Sequence, residues 1–188
     1  MHTFSDYELM LLVKRKRQEA LSVLYDRYAS LVFSFAWKAL RDEQAARDIV
    51  QSVFVRLWTT ESDYSPDKGR FTSWLITITR NMTTDLLRKR QRHAEGLLPY
   101  LPEELERIPD RGASPEAQAE QQSLKEQIRS AYRYLSQRQI ELLEHFYWQG
   151  YSLTELADHY KEPIGTVKNR LHQTLKILRR HLLTEGEG

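Results

Sequence analysis

The chain has 188 residues, with 28 lysines and arginines against 26 acids, six histidines and no cysteine, enough for one core or two small ones. The missing cysteines exclude a disulfide framework and any Cys-ligated zinc or iron–sulfur centre, which suits a reducing cytoplasm. No stretch approaches the roughly 18 apolar residues of a membrane span, and the N-terminus lacks a signal-peptide pattern, so a cytoplasmic protein without membrane insertion is expected.

In chain order, Ser5 and Glu8 form an S-x-x-E capping box. Leu9, Leu12 and Val13 begin an apolar face that ends in the basic run from Lys14 to Arg17. Helical spacing continues through Ala20, Leu21, Leu24, Tyr25, Tyr28, Leu31, Val32 and Phe35. After a start at Asp42-Glu43 it resumes through Ala46, Ile49, Val50, Val53, Phe54, Leu57 and Trp58. Residues 60–69 hold the turn formers of a loop. A further periodic run passes through Phe71, Trp74, Leu75, Ile78, Met82 and Leu86 to the cationic patch Arg88 to Arg92. The β-branched run Ile76 to Thr79 favours a strand by propensity. The three-and-four spacing spans more than four turns and predicts a helix. A solvated helix end is the alternative use of the patch.

From Ala94 to about Ala117, four prolines and two glycines break any helix and predict a linker. Residues 94–120 carry seven acids against two bases, with Leu97, Leu98, Tyr100, Leu101, Leu105 and Ile108 among them. Beyond it, Leu124, Ile128, Ala131, Tyr132 and Leu135 predict a helix. Ser136 and Gln139 cap the next, which bears Ile140, Leu143, Phe146 and Tyr147. Ser152 and Glu155 then box a short helix with Leu153, Leu156, Ala157 and Tyr160 inward. Pro163 ends it and suits the first turn of a last helix.

In that last helix Ile164, Val167, Leu171, Leu175, Leu178 and Leu182 form an apolar stripe, leaving Lys168, Asn169, His172, Gln173, Lys176 and Arg180 outside. Two helices joined by a tight turn, the second with a polar outer face, make the helix-turn-helix pattern that reads a major groove. An amphipathic helix of a bundle also carries charges outside. Residues 161–181 hold six basic residues against the single acid Glu162, which favours phosphate neutralisation.

The organisation expected is therefore all-α, with a first domain at 1–93, a linker at 94–117, a four-helix second domain at 118–184 and a tail at 185–188. The histidines show no metal-binding spacing, and no Walker loop, G-x-G-x-x-G or G-x-S-x-G element is present. No metal, no cofactor and no enzymatic activity are expected.

With these residues in hand, the chain resembles a bacterial RNA polymerase sigma factor of the sigma-70 family, extracytoplasmic-function (ECF) group. Ala20 to Tyr28 looks like the start of that family's first domain, and Asp48 to Trp58 like its polymerase-binding helix. Phe71 to Leu75, Arg80-Asn81 and Asp85 to Arg88 look like the helix that meets the −10 promoter element. Leu135 to Gln139, Tyr151 to Ala157 and Gly165 to Arg170 match the domain that reads the −35 element.

The resemblance implies a two-domain σ2–σ4 factor that binds core RNA polymerase and promoter DNA, assists melting, has an anti-sigma partner, and is monomeric when free. It implies a core-polymerase face of Asp48, Gln51, Phe54, Val55 and Trp58, although Phe54 and Trp58 fit a buried core equally well. The −10 set is Asp63, Tyr64, Lys68, Arg70, Arg80, Asn81, Arg88, Lys89, Arg90 and Arg92. The −35 set is Thr154, Thr166, Lys168, Asn169, Arg170, His172, Gln173 and Lys176, with Arg170 able instead to contact backbone or pack internally. Tyr64 and Phe71 are the only aromatics between Ser62 and Ser73, so the aromatic-rich melting surface of housekeeping sigma factors is missing. The alternatives are a dimeric helix-turn-helix regulator acting without replacing a sigma factor, and an all-helical protein-binding adaptor.

Overall fold

The computed structural model describes residues 4–60, 64–93 and 129–184; at 91–93 and 182–184 the description stops at the backbone. Asp63, the side chain of Arg92, the 94–117 linker, residues 118–128 and the 185–188 tail lie outside the described residues. Those described fall into two compact units, 4–93 and 129–184, and contain helices and turns but no strand.

In the first unit, α1 (Asp6–Lys14) starts at the predicted box: Ser5 accepts from the Glu8 amide, and Glu8 accepts from the Ser5 amide. Lys16 in the left-handed region (φ 60) turns the chain into α2 (Gln18–Leu40). Arg41, also left-handed (φ 52), closes α2, and Asp42 at once caps α3 (Glu43–Thr59) by accepting from the Ala45 amide at 3.0 Å. A short 3₁₀ turn at Pro66–Lys68 and an extended-ψ Gly69 with φ 141 lead into α4 (Phe71–His93). A side chain at 69 would have to adopt a φ that L-residues rarely take.

Helix α2 packs against α1, α3 and α4. The inward stripes of all four helices meet in one core containing Leu9, Val13, Leu24, Val32, Val53 and Leu75, all fully buried. The β-branched run lies inside α4, as spacing predicts. Thr79 and Thr83 are buried there because each hydroxyl donates to the carbonyl four residues back, Leu75 at 2.9 Å and Thr79 at 2.8 Å. A buried hydroxyl without such an acceptor would cost about 1–3 kcal/mol; the helix supplies one locally.

In the second unit, a helical turn at residues 129–132 precedes α5 (Gln137–Leu143), which starts at the expected Ser136/Gln139 box. The helix does not continue regularly through Phe146 and Tyr147 as the spacing suggests. Residues Glu144–Trp148 form a π turn, with the Gln149 amide donating to the Glu144 carbonyl at 3.1 Å. His145, Phe146, Tyr147 and Trp148 are all half-buried. A tight turn of 3.6 residues would swing one of four consecutive large side chains to solvent; the wider turn lets all four pack.

Gly150 (φ 76) then leads to α6 (Leu153–Tyr160), capped by the Ser152/Glu155 box and ended by a left-handed Lys161. Pro163 stands at the N-cap of α7 (Ile164–Thr184), its carbonyl accepting the first helical bonds, from the Thr166 and Val167 amides at 2.9 and 3.3 Å. The stripe of α7 is also narrower than predicted: Val167, Leu171 and Thr174 are buried, whereas Ile164 is 49 % and Leu175 37 % exposed. At about 100° per residue, Val167, Leu171, Thr174 and Leu178 lie within roughly 60° of one another, while Ile164 and Leu175 fall at the edge. Thr174 is tolerated inside because its hydroxyl donates to the Arg170 carbonyl at 2.8 Å.

Leu142 is fully buried where α5, α6 and α7 converge. Leu142→Ala is expected to lower the unfolding free energy of the second unit by about 2–5 kcal/mol, read as a lower urea midpoint at unchanged slope.

Candidate nucleic-acid interface

The turn between α6 and α7 is fixed by side chains as well as backbone. Arg170 forms an ion pair with Glu162, both about four-fifths buried, and its guanidinium lies 5.8 Å from the centre of the Tyr160 ring. Tyr160 in turn shares a 3.0 Å hydrogen bond with His145 Nδ1 in the π turn. Arg170 thus braces the motif internally, one of the uses left open for it. Its place follows from helix rotation, which sets it on the flank toward α6 while Thr166, Asn169, His172, Gln173 and Lys176 point away from the core. Those five, with Lys168 and with Thr154 on α6, are exposed. An exposed face of hydroxyl, amide, imidazole and ammonium groups can read base edges and phosphates.

In the first unit, Arg70, Ser73, Thr77, Arg80, Asn81 and Arg88 share one face of α4 by the same rotation. Arg70 and Asn81 are exposed, Arg80 and Arg88 half-buried, and Arg80 donates to Asn81 Oδ1 at 3.4 Å. The upper part of this face joins Tyr64, Ser65, Lys68, Gly69 and Trp74 around a cleft of about 380 Å³. Tyr64 does not project from it as a free aromatic. Its hydroxyl donates to the Gly69 carbonyl at 3.0 Å, and its ring packs against Phe71, Trp74 and Tyr7 at 5.3, 5.7 and 6.4 Å between centres. Phe71 is buried and touches Tyr28, whose hydroxyl donates to Asp6 at 2.6 Å. Burial and the Asp6 carboxylate hold the Tyr28 phenol well above its usual range.

The cationic patch is not one surface. Lys89 is exposed, but Arg90 rotates toward the core side and pairs with Asp42 at 2.7 Å, each side chain 41 % exposed. Asp42 therefore takes two donors. The Ala45 amide first, then Arg90, hold its carboxyl below the usual range. Arg90 is tied to the α2–α3 junction through Asp42.

A third feature is a mostly apolar groove of about 590 Å³ between α2 and α3, lined by Gln18, Leu21, Tyr25, Gln51, Phe54, Val55 and Trp58 among others. Val55 is 60 % exposed, and Gln51 and Asp48 are also exposed, whereas Phe54 is buried as the groove floor, 4.8 Å from the Tyr25 ring. Trp58 is half-buried; Lys16 lies 5.0 Å over its ring and donates to its carbonyl. Among the described residues no group of three or more His, Asp or Glu is placed to hold a metal ion, and no helix is long and apolar enough to cross a membrane.

The two units coincide with two family models in order: residues 24–93 match sigma-70 region 2, and residues 133–180 match sigma-70 region 4. The chain belongs to the sigma-70 family. Members of this family are transcription initiation factors that bind core RNA polymerase and promoter DNA, two of the partners expected from the sequence, and the described residues have the helical, strand-free fold expected from it. Similar curated proteins include the ECF RNA polymerase sigma factors SigX and SigW of Bacillus subtilis (strain 168). SigX is 28 % identical over 88 % of this chain and 84 % of its own length; SigW is 26 % identical over 90 % and 92 %. SigL of Mycobacterium tuberculosis is 28 % identical over 85 % and 86 %. The ECF group named by resemblance is thus the group of these relatives.

Among solved structures, CnrH in complex with the cytosolic domain of CnrY is similar at 21 % identity and TM-score 0.43, covering 97 % of this chain and 99 % of that one. Rhodobacter sphaeroides SigE in complex with the anti-sigma ChrR is similar at 25 % identity and TM-score 0.47, covering 96 % and 99 %.

Some residues lining these surfaces stand outside the site sets expected from the sequence. Tyr25 and Leu21 wall the α2–α3 groove, and Ser73, Trp74 and Thr77 wall the cleft. The spacing of Arg70, Ser73 and Thr77 at three and four was the available signal for the latter.

In the region 4 unit, burial first and then neighbouring His159 hold the His145 pKa below its ordinary value, with Glu141 opposing weakly and Tyr151 and Tyr160 packed beside it. The unfolded chain, with an ordinary imidazole near 6.5, then binds the proton more readily than the folded one. The unit should lose stability as pH falls through about 6.5 and level off once the folded-state imidazole is protonated. Thermal midpoints between pH 7.5 and 5 measure this slope, which His145→Asn is expected to flatten.

Proposed function

We propose that this chain is an ECF-type alternative sigma factor. It docks on core RNA polymerase through the α2–α3 groove, holds the −10 element on the α4 face with its adjoining cleft, and reads the −35 element with the outer face of α7. The observation that carries this reading is the order of region 2 and region 4 in one chain whose curated relatives are covered over most of their length. The proposed division is 1–93, a connector at 94–117, 118–184 and a tail at 185–188. The factor works by binding, as a cytoplasmic monomer when free, without a cofactor or a chemical step of its own.

Asp48, Gln51 and Val55 would meet the polymerase directly, with Phe54 and Trp58 shaping the groove beneath them. Covering an exposed valine stabilises an interface by about 1.5–3 kcal/mol at most. Lys68, Arg70, Arg80, Asn81, Arg88 and Lys89 would serve the −10 region, Arg90 and Tyr64 positioning it. Thr154, Thr166, Lys168, Asn169, His172, Gln173 and Lys176 would serve the −35 region, braced by Arg170. An anti-sigma partner fits the same picture: a protein that covers the apolar groove excludes polymerase from it.

Run-off transcription with bacterial core polymerase on a random promoter library tests the reading. Transcripts that depend on this chain and share spaced −35 and −10 motifs are expected; none from a folded chain and an active core would sink it. Val55→Asp, altering an exposed side chain, should weaken core binding at least tenfold with the thermal midpoint unchanged, as read by fluorescence anisotropy and calorimetry.

Asn169→Ala should change the preferred −35 sequence. Lys89→Ala should weaken promoter binding uniformly and reduce its salt slope. Equal losses on every promoter from Asn169→Ala would remove its base-reading role.

A further inference from the structure

The junction that holds α5, α6 and α7 together contains a polar chain. His145 in the π turn and Tyr160 at the end of α6 are both half-buried, and His145 Nδ1 lies 3.0 Å from the Tyr160 hydroxyl. From there contacts lead into the reading helix: the Tyr160 ring faces the Arg170 guanidinium, and Arg170 pairs with Glu162 across the α6–α7 turn. An imidazole and a phenol in this place cost desolvation that two leucines would avoid, and their shared hydrogen bond offsets that cost. The groups around His145 determine its response to a proton. From α6, His159 stands with its ring centre 5.2 Å away and opposes a positive charge; from α5, Glu141 favours one; Tyr151 packs its ring at 5.2 Å. Beyond Tyr160 stand Arg170, Glu162 and Arg138. Burial first, then Glu141, hold the Tyr160 phenol above its ordinary range, so its O–H is available to donate to an unprotonated Nδ1. A proton on Nδ1 turns that acceptor into a second donor. The hydroxyl must then swing away and only accept, and a positive ring is left beside His159 and against a phenol whose face already meets Arg170.

Accepting the proposed function, under which α7 reads the −35 element, we infer that this junction is a proton-sensitive brace: protonation of His145 releases Tyr160, loosens the α6–α7 turn and weakens −35 recognition. DNA selects the braced form, so by linkage a bound promoter opposes protonation of His145 by the same factor. The device acts within the folded unit, in addition to the loss of stability that the same proton causes. Its sign sets it apart from ordinary electrostatics. A proton gained by exposed His159 or His172 adds positive charge and strengthens attraction to phosphates. The brace instead makes recognition fall as acid is added, because the charge lands at the joint that aims the helix and away from the face that meets DNA.

The test uses holoenzyme assembled from the full chain and bacterial core polymerase, with a promoter recovered from the random library and the same promoter carrying a scrambled −35 element. The ratio of initiation from the two separates −35 recognition from acid effects on the polymerase. Between about pH 7.5 and 5.5, on either side of the ordinary imidazole value, the wild-type ratio should fall at least about fivefold at constant ionic strength. In His145→Asn the ratio, lower from the start, should change by less than about twofold. Tyr160→Phe should likewise start lower and respond less. His159→Gln, which removes a competing charge, should move the midpoint of the fall to higher pH. Circular dichroism should show the chain still folded at the lower pH. A wild-type ratio that holds or rises with acid would overturn the inference, as would an equal fall in both His145→Asn and Tyr160→Phe, or a fall that coincides with unfolding. A promoter whose initiation at pH 7.5 ignores its −35 sequence would instead overturn the reading of α7 on which the inference rests.

Discussion

Each residue of an α-helix is rotated about 100° from the last, and each helix of this protein has one side to bury. Once the core stripe of α4 or α7 is set, the direction of every other side chain follows, including those that can face DNA. Asn169, His172, Gln173 and Lys176 are outward because Val167, Leu171 and Thr174 are inward. Packing energy therefore arranges the proposed reading surface. A buried Leu or Val contributes about 1.5–3 kcal/mol, several times what an exposed ion pair offers.

The cations divide by the same geometry into braces and rim groups. Arg170 and Arg90 fall on flanks of their helices that face a neighbouring element, and each meets a carboxylate there: Glu162 after α6 and Asp42 before α3. Arg27 is a third case, pairing with Asp6 at 3.0 Å and fastening α1 to α2. Lys68, Lys89, Lys168 and Lys176 project outward. At the partly buried places the planar guanidinium makes directed pairs, but exposed Arg70 and Lys16, which donates to the Trp58 carbonyl, show that the division follows position more than residue type.

Much of this was legible in the sequence because it is local. All three capping boxes, at Ser5, Ser136 and Ser152, form as their spacing specifies, and Asp42 begins α3. The three-and-four spacing identified the helical state of the Ile76 to Thr79 run against its strand propensity. What escaped depends on partners distant in sequence or on small departures from regular geometry. No local pattern links Arg90 to a carboxylate 48 positions away, and no periodicity announces the π turn after Leu143. Reading Arg88 to Arg92 as one patch ignored the rotation that separates adjacent residues. The apolar stripe of α7 was drawn too wide because leucine was counted inward at its edge and Thr174, able to bond its own helix, was not counted at all.

The aromatic cluster shows how one constraint sets another. Tyr7, Tyr28, Tyr64, Phe71 and Trp74 join α1, α2, the loop before α4 and the start of α4. The two aromatics between Ser62 and Ser73 are both committed to it, one buried and one held by a hydrogen bond to Gly69. Rings used to anchor the loop are not offered as wedges between base pairs. Unstacking and flipping a base costs a few kcal/mol, and under the proposed function that cost must be offset by contacts made after the base has left the helix. Such contacts belong to a rigid polar cleft, because a loop that had to order itself on binding would lose part of the gain in entropy. The cluster that removes aromatics from the surface is thus the same cluster that makes a preformed cleft possible.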